Sequence, residues 1–184
     1  MLMTTRGTCL LIITALLPIS VVAAGLPPWE FGMTKAQVAS FKRFGPYRSF
    51  SNGDLETFNG IYQGKKHNIQ FFFDRSGRLQ RIGVYLGEGT DGKKAAATFQ
   101  HAYELLQQEY GKVVVPEIKV ARSSEPVPVE VIAIGAAANA DVTGKTHAAP
   151  AKQPKDTEVS ASIMRGYVKR VKWFYVAIFL ERRT

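Results

Sequence analysis

Cysteine is almost missing from this chain. Cys9 is the only one, and it opens an apolar run near the N-terminus, so beyond that run there is no disulfide framework, thiol nucleophile or cysteine metal cluster. Histidine is nearly as scarce, with three in 184 residues: His67, His101 and His147. His101 and Glu104 have the i, i+3 spacing of two metal ligands on a helix, but spacing suggests no third ligand, and no metal site is expected. His67 lies on the apolar parity of a strand and is expected to be structural rather than a catalytic base. No Gly-x-Ser-x-Gly elbow is present, and Ser51, Ser76 and Ser160 sit in turn-like or linker contexts. "GEGTDG" at 87–92 lacks the Walker spacing and its Lys-Ser/Thr end, so no phosphate loop and no cofactor are implied. Asp54 with Glu56, and Glu88 with Asp91, are close carboxylates of the kind glycosidases use. Each pair falls at a strand start or a glycine-rich turn, where solvated acids are ordinary. A carboxylate-dependent hydrolase remains an alternative with little behind it.

Long apolar runs are also few. The one that stands out is "CLLIITALLPISVV" at 9–22, preceded by a segment with a single charge, Arg6, and followed by "VVAAG". Val22 and Ala24 are small residues at the −3 and −1 positions before Gly25, which completes the order of a secretory signal peptide over 1–24. The run is short for a span of about 20 residues and Pro18 interrupts it, so an uncleaved anchor is disfavoured. After cleavage no transmembrane span is expected, and residues 25–184 form a single domain in the periplasm or outside the cell.

Negative charge is the scarcer sign. Lys and Arg number 24 against 15 Asp and Glu, a net charge of +9, of which Arg6 contributes one. An exported protein rarely meets nucleic acid, so the partners this charge implies are an anionic envelope component or an acidic protein.

What is present beyond residue 24 is mostly pattern. "LPPWE" is a stiff, extended lead-in. In "FGMTKAQV" at 31–38, Thr34 and Gln37 have the spacing of a capping box, with Met33 and Val38 placed as a hydrophobic staple. Phe41 continues that helical face, and Gly45-Pro46 is expected to stop the helix. Strands are expected over Leu55–Gln63 and Lys66–Asp74, joined at Gly64-Lys65, and over Leu79–Leu86 after the tight turn "DRSG". In the second of these, His67, Ile69, Phe71 and Phe73 share one face. Together the three form a meander. Gly92 to Tyr110 predicts a helix capped by Thr90 or Asp91 and ended at Gly111. Its core-facing stripe is Ala95, Phe99, Ala102, Leu106 and Tyr110. "KVVVPEIKV", "VPVEVIAI" and Val168–Leu180 predict further strands, the last apolar on both faces from Trp173 onward, as in a central strand. Residues 136–158, rich in Ala, Lys, Pro and Thr, are expected to form a flexible loop.

The order "FGMTKAQV", then a meander containing "FFFDRSGRLQRIGVYL", resembles a recurring exported bacterial design. It is that of the SmpA/OmlA-type outer-membrane-assembly lipoproteins and of the beta-lactamase-inhibitor-protein-like fold. Gly32, Met33, Thr34, Val38 and the strands around Asp74–Gly77 carry the likeness, which covers Phe31 to Leu86. The chain departs from it in having no cysteine after the signal to be lipidated, and in its second helix and C-terminal strands. The resemblance implies an exported α+β domain engaged in protein–protein contact, and it brings a secreted inhibitor of a hydrolase into view as an alternative.

The expected fold is therefore α+β: an antiparallel sheet, meander plus C-terminal strands, with two helices packed on one face. The expected function is non-catalytic binding by protein–protein or cell-envelope contact. The candidate binding residues are Lys169, Arg170, Lys172, Arg182 and Arg183, which flank the long C-terminal strand, with Lys145, Lys152 and Lys155 on the loop. Charges in such places also guard apolar strands against edge pairing.

Overall fold

The structure is a computed structural model that describes residues 25–114 and 146–183. Two short strands, β1 (Gly25–Leu26) and β2 (Trp29–Glu30), pair with each other and lead into helix α1 (Lys35–Ser40). Then come β3 (Tyr47–Ser49), β4 (Leu55–Tyr62), β5 (Lys65–Phe73), β6 (Leu79–Gly89), helix α2 (Gly92–Tyr110), β7 (Val113–Val114), β8 (Thr146–Pro150), β9 (Thr157–Val168) and β10 (Val171–Arg182). Strands β3 to β10 make one antiparallel sheet in the order β3-β4-β5-β6-β10-β9-β8-β7. The expected antiparallel α+β class with two helices stands. No helix among the described residues is long and apolar enough to cross a membrane.

The capping box at α1 forms as the sequence predicts. The Thr34 N–H donates to Gln37 Oε1 at 2.8 Å, and the Gln37 N–H donates to Thr34 Oγ1 at 3.3 Å. Val38 is fully buried and Met33 packs against the same core. The helix stops earlier than expected, at Ser40 instead of before Gly45-Pro46, and the chain turns through a 3-10 segment at Lys42–Phe44. Phe41 leaves helical geometry with ψ at 70°, and its carbonyl oxygen accepts from the Phe44 N–H at 3.0 Å and from the Tyr47 hydroxyl at 3.2 Å. Both aromatics of this segment pack on Trp29, Phe41 edge-on at 6.4 Å and Phe44 at 4.7 Å.

Helix α2 is capped by Asp91, whose carboxylate accepts from the N–H groups of Lys93 and Lys94 at 2.9 and 3.1 Å. It ends at Gly111, in the left-handed region at φ +79°. Its predicted stripe is buried at Ala95, Phe99, Ala102 and Leu106. The helix packs over β6, β8, β9 and β10. Beneath it, register aligns Ile69, Val84, Ile178, Ala161 and Ala148 directly across five strands. A second row joins Leu55, Phe71, Ile82, Leu180 and Val159. Each large side chain in these rows contributes about 1.5–3 kcal/mol of hydrophobic stabilisation by leaving water.

β10 is the central strand that its two-sided apolar run predicts, lying between β6 and β9. Phe174, Val176, Ile178 and Leu180 enter the main core, while Ala177 and Phe179 are buried outside that cluster. Gly83 lets Phe179 lie across the sheet, since a Cβ there would come within 2.9 Å of its ring. The Arg81 guanidinium covers that ring at 4.0 Å, and Phe72 and Tyr85 flank it.

Three expectations are corrected. Val168–Leu180 is not one strand, because a two-residue turn at Lys169-Arg170 divides the region into β9 and β10. Residues 136–158 are not one loop: Thr146–Pro150 is β8 and Thr157 begins β9. Ala148 is completely buried, so the small side chains here suit a tight place in the core and do not mark a lack of one. The β4–β5 turn falls at Gln63-Gly64, one residue before the expected Gly64-Lys65. Residues 136–145, all of "VPVEVIAI" and "KVVVPEIKV" beyond Val114 lie outside the described residues.

Candidate functional site

The five cations singled out in the sequence do not form one patch. Lys169 and Arg170 are the two turn residues of the β9–β10 hairpin, with Lys172 just inside β10. Arg182 closes β10 at its other end and Arg183 follows it. At about 3.3 Å per residue, the ten residues from Lys172 to Arg182 separate the groups by roughly 33 Å. Lys152 and Lys155 are exposed in the turn between β8 and β9, and Lys145 lies outside the described residues.

The hairpin end has what the other cations lack. Register pairs Tyr167 with Lys172, Val168 with Val171 and Gly166 with Trp173. Pairing with β6 stops at Phe174 opposite Gly89, and pairing with β8 stops at Ile163 opposite Thr146. Among the described residues, the last turnward residues of β9 and β10 thus pair only with each other and form a two-stranded ribbon. Strand alternation puts Val168, Val171 and Trp173 on one side and Tyr167 with Lys172 on the other. Tyr167 is 66% exposed, Val171 52% and Val168 40%, so half of the six exposed large hydrophobics among the described residues sit at this tip. Lys169 and Arg170 both take positive φ, +49° and +67°, as a two-residue hairpin turn requires and as Asn-Gly would do with less strain.

Sequence reasoning found the cations here but missed Tyr167, Val168, Val171 and Trp173. The signal is a Val-Lys-Arg-Val quartet, an apolar pair around two cations, masked by the apolar continuity that makes Val168–Leu180 look like one strand.

Most of the other candidate carboxylates have structural work. Asp54 accepts from the Asn52 amide and from the Phe73 N–H at 2.7 and 3.1 Å. Glu56 is 2% exposed and ion-paired with Arg48. Asp91 is spent on the cap of α2, and Glu104 accepts from Gln100 at 2.9 Å. Asp74 holds the "DRSG" turn by accepting from the N–H groups of Ser76 and Arg78 at 2.8 and 2.9 Å. The Arg78 contact is the main reason its carboxyl is held below the usual range.

His67 and His101 line one groove of about 550 Å³ between β5 and α2, together with Lys65 and Lys94. Burial pushes the His67 imidazole down, while the Tyr85 carbonyl oxygen, 3.3 Å from Nδ1, works against that shift. No group of three His, Cys, Asp or Glu among the described residues is placed to hold a metal ion.

A second cleft, about 470 Å³, opens at the C-terminal end of α2 beside Tyr62, Tyr110 and Lys155. Burial and then the nearby Glu109 push the Tyr62 hydroxyl up to about 12, and the same causes raise Tyr110. Both phenols stay protonated at neutral pH and can donate hydrogen bonds but not act as bases.

Set against protein-family models, curated proteins and solved structures, the chain matches none.

Proposed function

We infer that this chain is an exported, non-catalytic binding protein of the bacterial envelope or its surroundings, acting through contact with a protein or an anionic envelope component. The observation that carries this is the β9–β10 tip, where three cations and three exposed apolar side chains share one end of a hairpin. By contrast, the carboxylates weighed for catalysis at Asp54, Glu56 and Asp91 are occupied by turns, a cap or an ion pair. Export rests on the charged, apolar and small-residue order of 1–24, and the likeness of Phe31–Leu86 to SmpA/OmlA-type domains agrees with it.

On this reading both helices cover the same face of the sheet and leave the other to the Phe72, Arg81 and Phe179 stack. In support, Val38, Phe44 and Trp29 beside α1 fall in one cluster with Phe99 and Leu106 of α2, and Phe179 stands outside it.

The test is a crosslinking capture of the tagged protein from envelope extracts at low and high salt, with Arg170→Glu alongside. Saturable capture that Arg170→Glu weakens is the expected result. Capture in neither salt overturns contact as the function.

A further inference from the structure

The chemistry of the β9–β10 tip points beyond contact in general to one kind of partner. Its apex is two adjacent cations, Lys169 and Arg170, held at positive φ in a turn that glycine or asparagine would form with less strain. Strain kept at a surface turn is a mark of side chains required there for something other than folding. Immediately behind them stand Val168 and Val171, 40% and 52% exposed, and behind those the partly buried Trp173 on the same side. Tyr167, 66% exposed, and Lys172 occupy the opposite side.

From the apex inward the ribbon thus carries two long cationic side chains able to bend back to phosphates, then an apolar pair for the acyl boundary, then aromatic rings with one polar atom for the headgroup level. The size of the surface also separates the possible partners. A specific protein interface needs roughly 800 Å² from each side, which the end of a two-stranded ribbon does not supply. Interfacial insertion needs only a few apolar side chains and neighbouring cations.

We propose that the β9–β10 hairpin tip docks the protein on an anionic lipid bilayer, with Val168 and Val171 entering the acyl boundary and Lys169, Arg170 and Lys172 meeting the lipid phosphates. This rests on the contact function inferred above and names its partner.

The test is flotation of the full chain with vesicles of phosphatidylglycerol and phosphatidylcholine, compared with phosphatidylcholine alone. The apolar run at 9–22 is common to every variant, so the quantity read is each variant's preference for anionic over zwitterionic vesicles. Lys169→Gln with Arg170→Gln is expected to lower that preference roughly twenty-five-fold, at about five-fold per cation near the surface. Val168→Ser with Val171→Ser is expected to weaken anionic binding at a salt concentration where charge attraction is screened. Arg182→Gln with Arg183→Gln removes the same charge from the far end of β10 and is expected to leave the preference unchanged. Thermal unfolding of each variant confirms that it is folded.

Equal losses from the tip and far-end pairs overturn the proposal, because diffuse charge then explains the binding. No preference for anionic vesicles in the unaltered chain overturns it as well. If a photo-crosslinker at Tyr167 then captures a protein from envelope extracts, the contact function stands with a protein as its partner. If it captures nothing, both fall.

Discussion

Two hairpins of the same backbone shape have opposite surroundings in this molecule. The β4–β5 turn has φ +47° at Gln63 and +72° at Gly64, and the β9–β10 turn has +49° at Lys169 and +67° at Arg170. The first is tied down: Tyr62 is buried, and the Gln63 amide donates to Glu109 on α2 at 3.3 Å. The second leaves Tyr167 two-thirds exposed. In the anchored turn glycine takes one of the two left-handed positions. Where cations take both positions, the turn carries two Cβ atoms in the left-handed region, at a cost in stability.

The largest test of this contrast is a pair of truncations. Tyr62→Ala is expected to cost about 3 kcal/mol, as for other large-to-small changes in a core, and to lower Tm by roughly 6–12 °C. Tyr167→Ala should stay within about 0.5 kcal/mol. Similar losses at the two sites in thermal unfolding would erase the distinction between an anchored and a free hairpin.

A smaller effect separates the turns themselves. Gly64→Ala should cost about 1 kcal/mol because a Cβ is placed in the left-handed region, whereas Arg170→Gly should gain a similar amount by removing one. Urea midpoints at unchanged slope report both. A stabilised Arg170→Gly that also binds anionic vesicles less well would place stability and function in direct opposition at one residue.

Acid gives a third and finer probe. His67 stands opposite Gly60 in the anchored hairpin, and its folded-state pKa lies below the ordinary 6.5. Between those two values the unfolded chain binds more protons than the folded one, so stability present above pH 6.5 is lost as the pH falls. His67→Gln should flatten that part of the pH–stability curve, and an unchanged slope would mean that other groups set it.

These variants also mark where sequence pattern sufficed. The α1 capping box, the α2 stripe with its Asp91 and Gly111 ends, and the meander were all legible, because each has a period or a cap that local chemistry imposes. Strand β9 was not. Its inward set of Val159, Ala161 and Ile163 alternates with Ser160 and Ser162, small residues that carry little hydrophobic contrast, and register explains them: Ala161 sits opposite Ile178, and Ser160 opposite Phe179. The end of α1 falls where the Phe41 carbonyl oxygen accepts from the Phe44 N–H and the Tyr47 hydroxyl, which no local pattern reveals. The site was half legible. Its cations were identifiable by charge, but the turn that gathers three of them and sends two elsewhere has no glycine, asparagine or proline to announce it.

The chain has only two tryptophans, and the fold separates them completely. Trp29 is 1% exposed, packed against Phe44 and Phe71, while Trp173 stands partly open on the β9–β10 ribbon. Their fluorescence is therefore a natural two-channel signal. The blue-shifted, poorly quenched component belongs to the interior and follows unfolding, and the component reached by an aqueous quencher belongs to the ribbon. With Trp29→Phe the ribbon holds the sole tryptophan, so with excitation selective for indole, whatever the tip touches can be watched in the intact protein without attaching a dye.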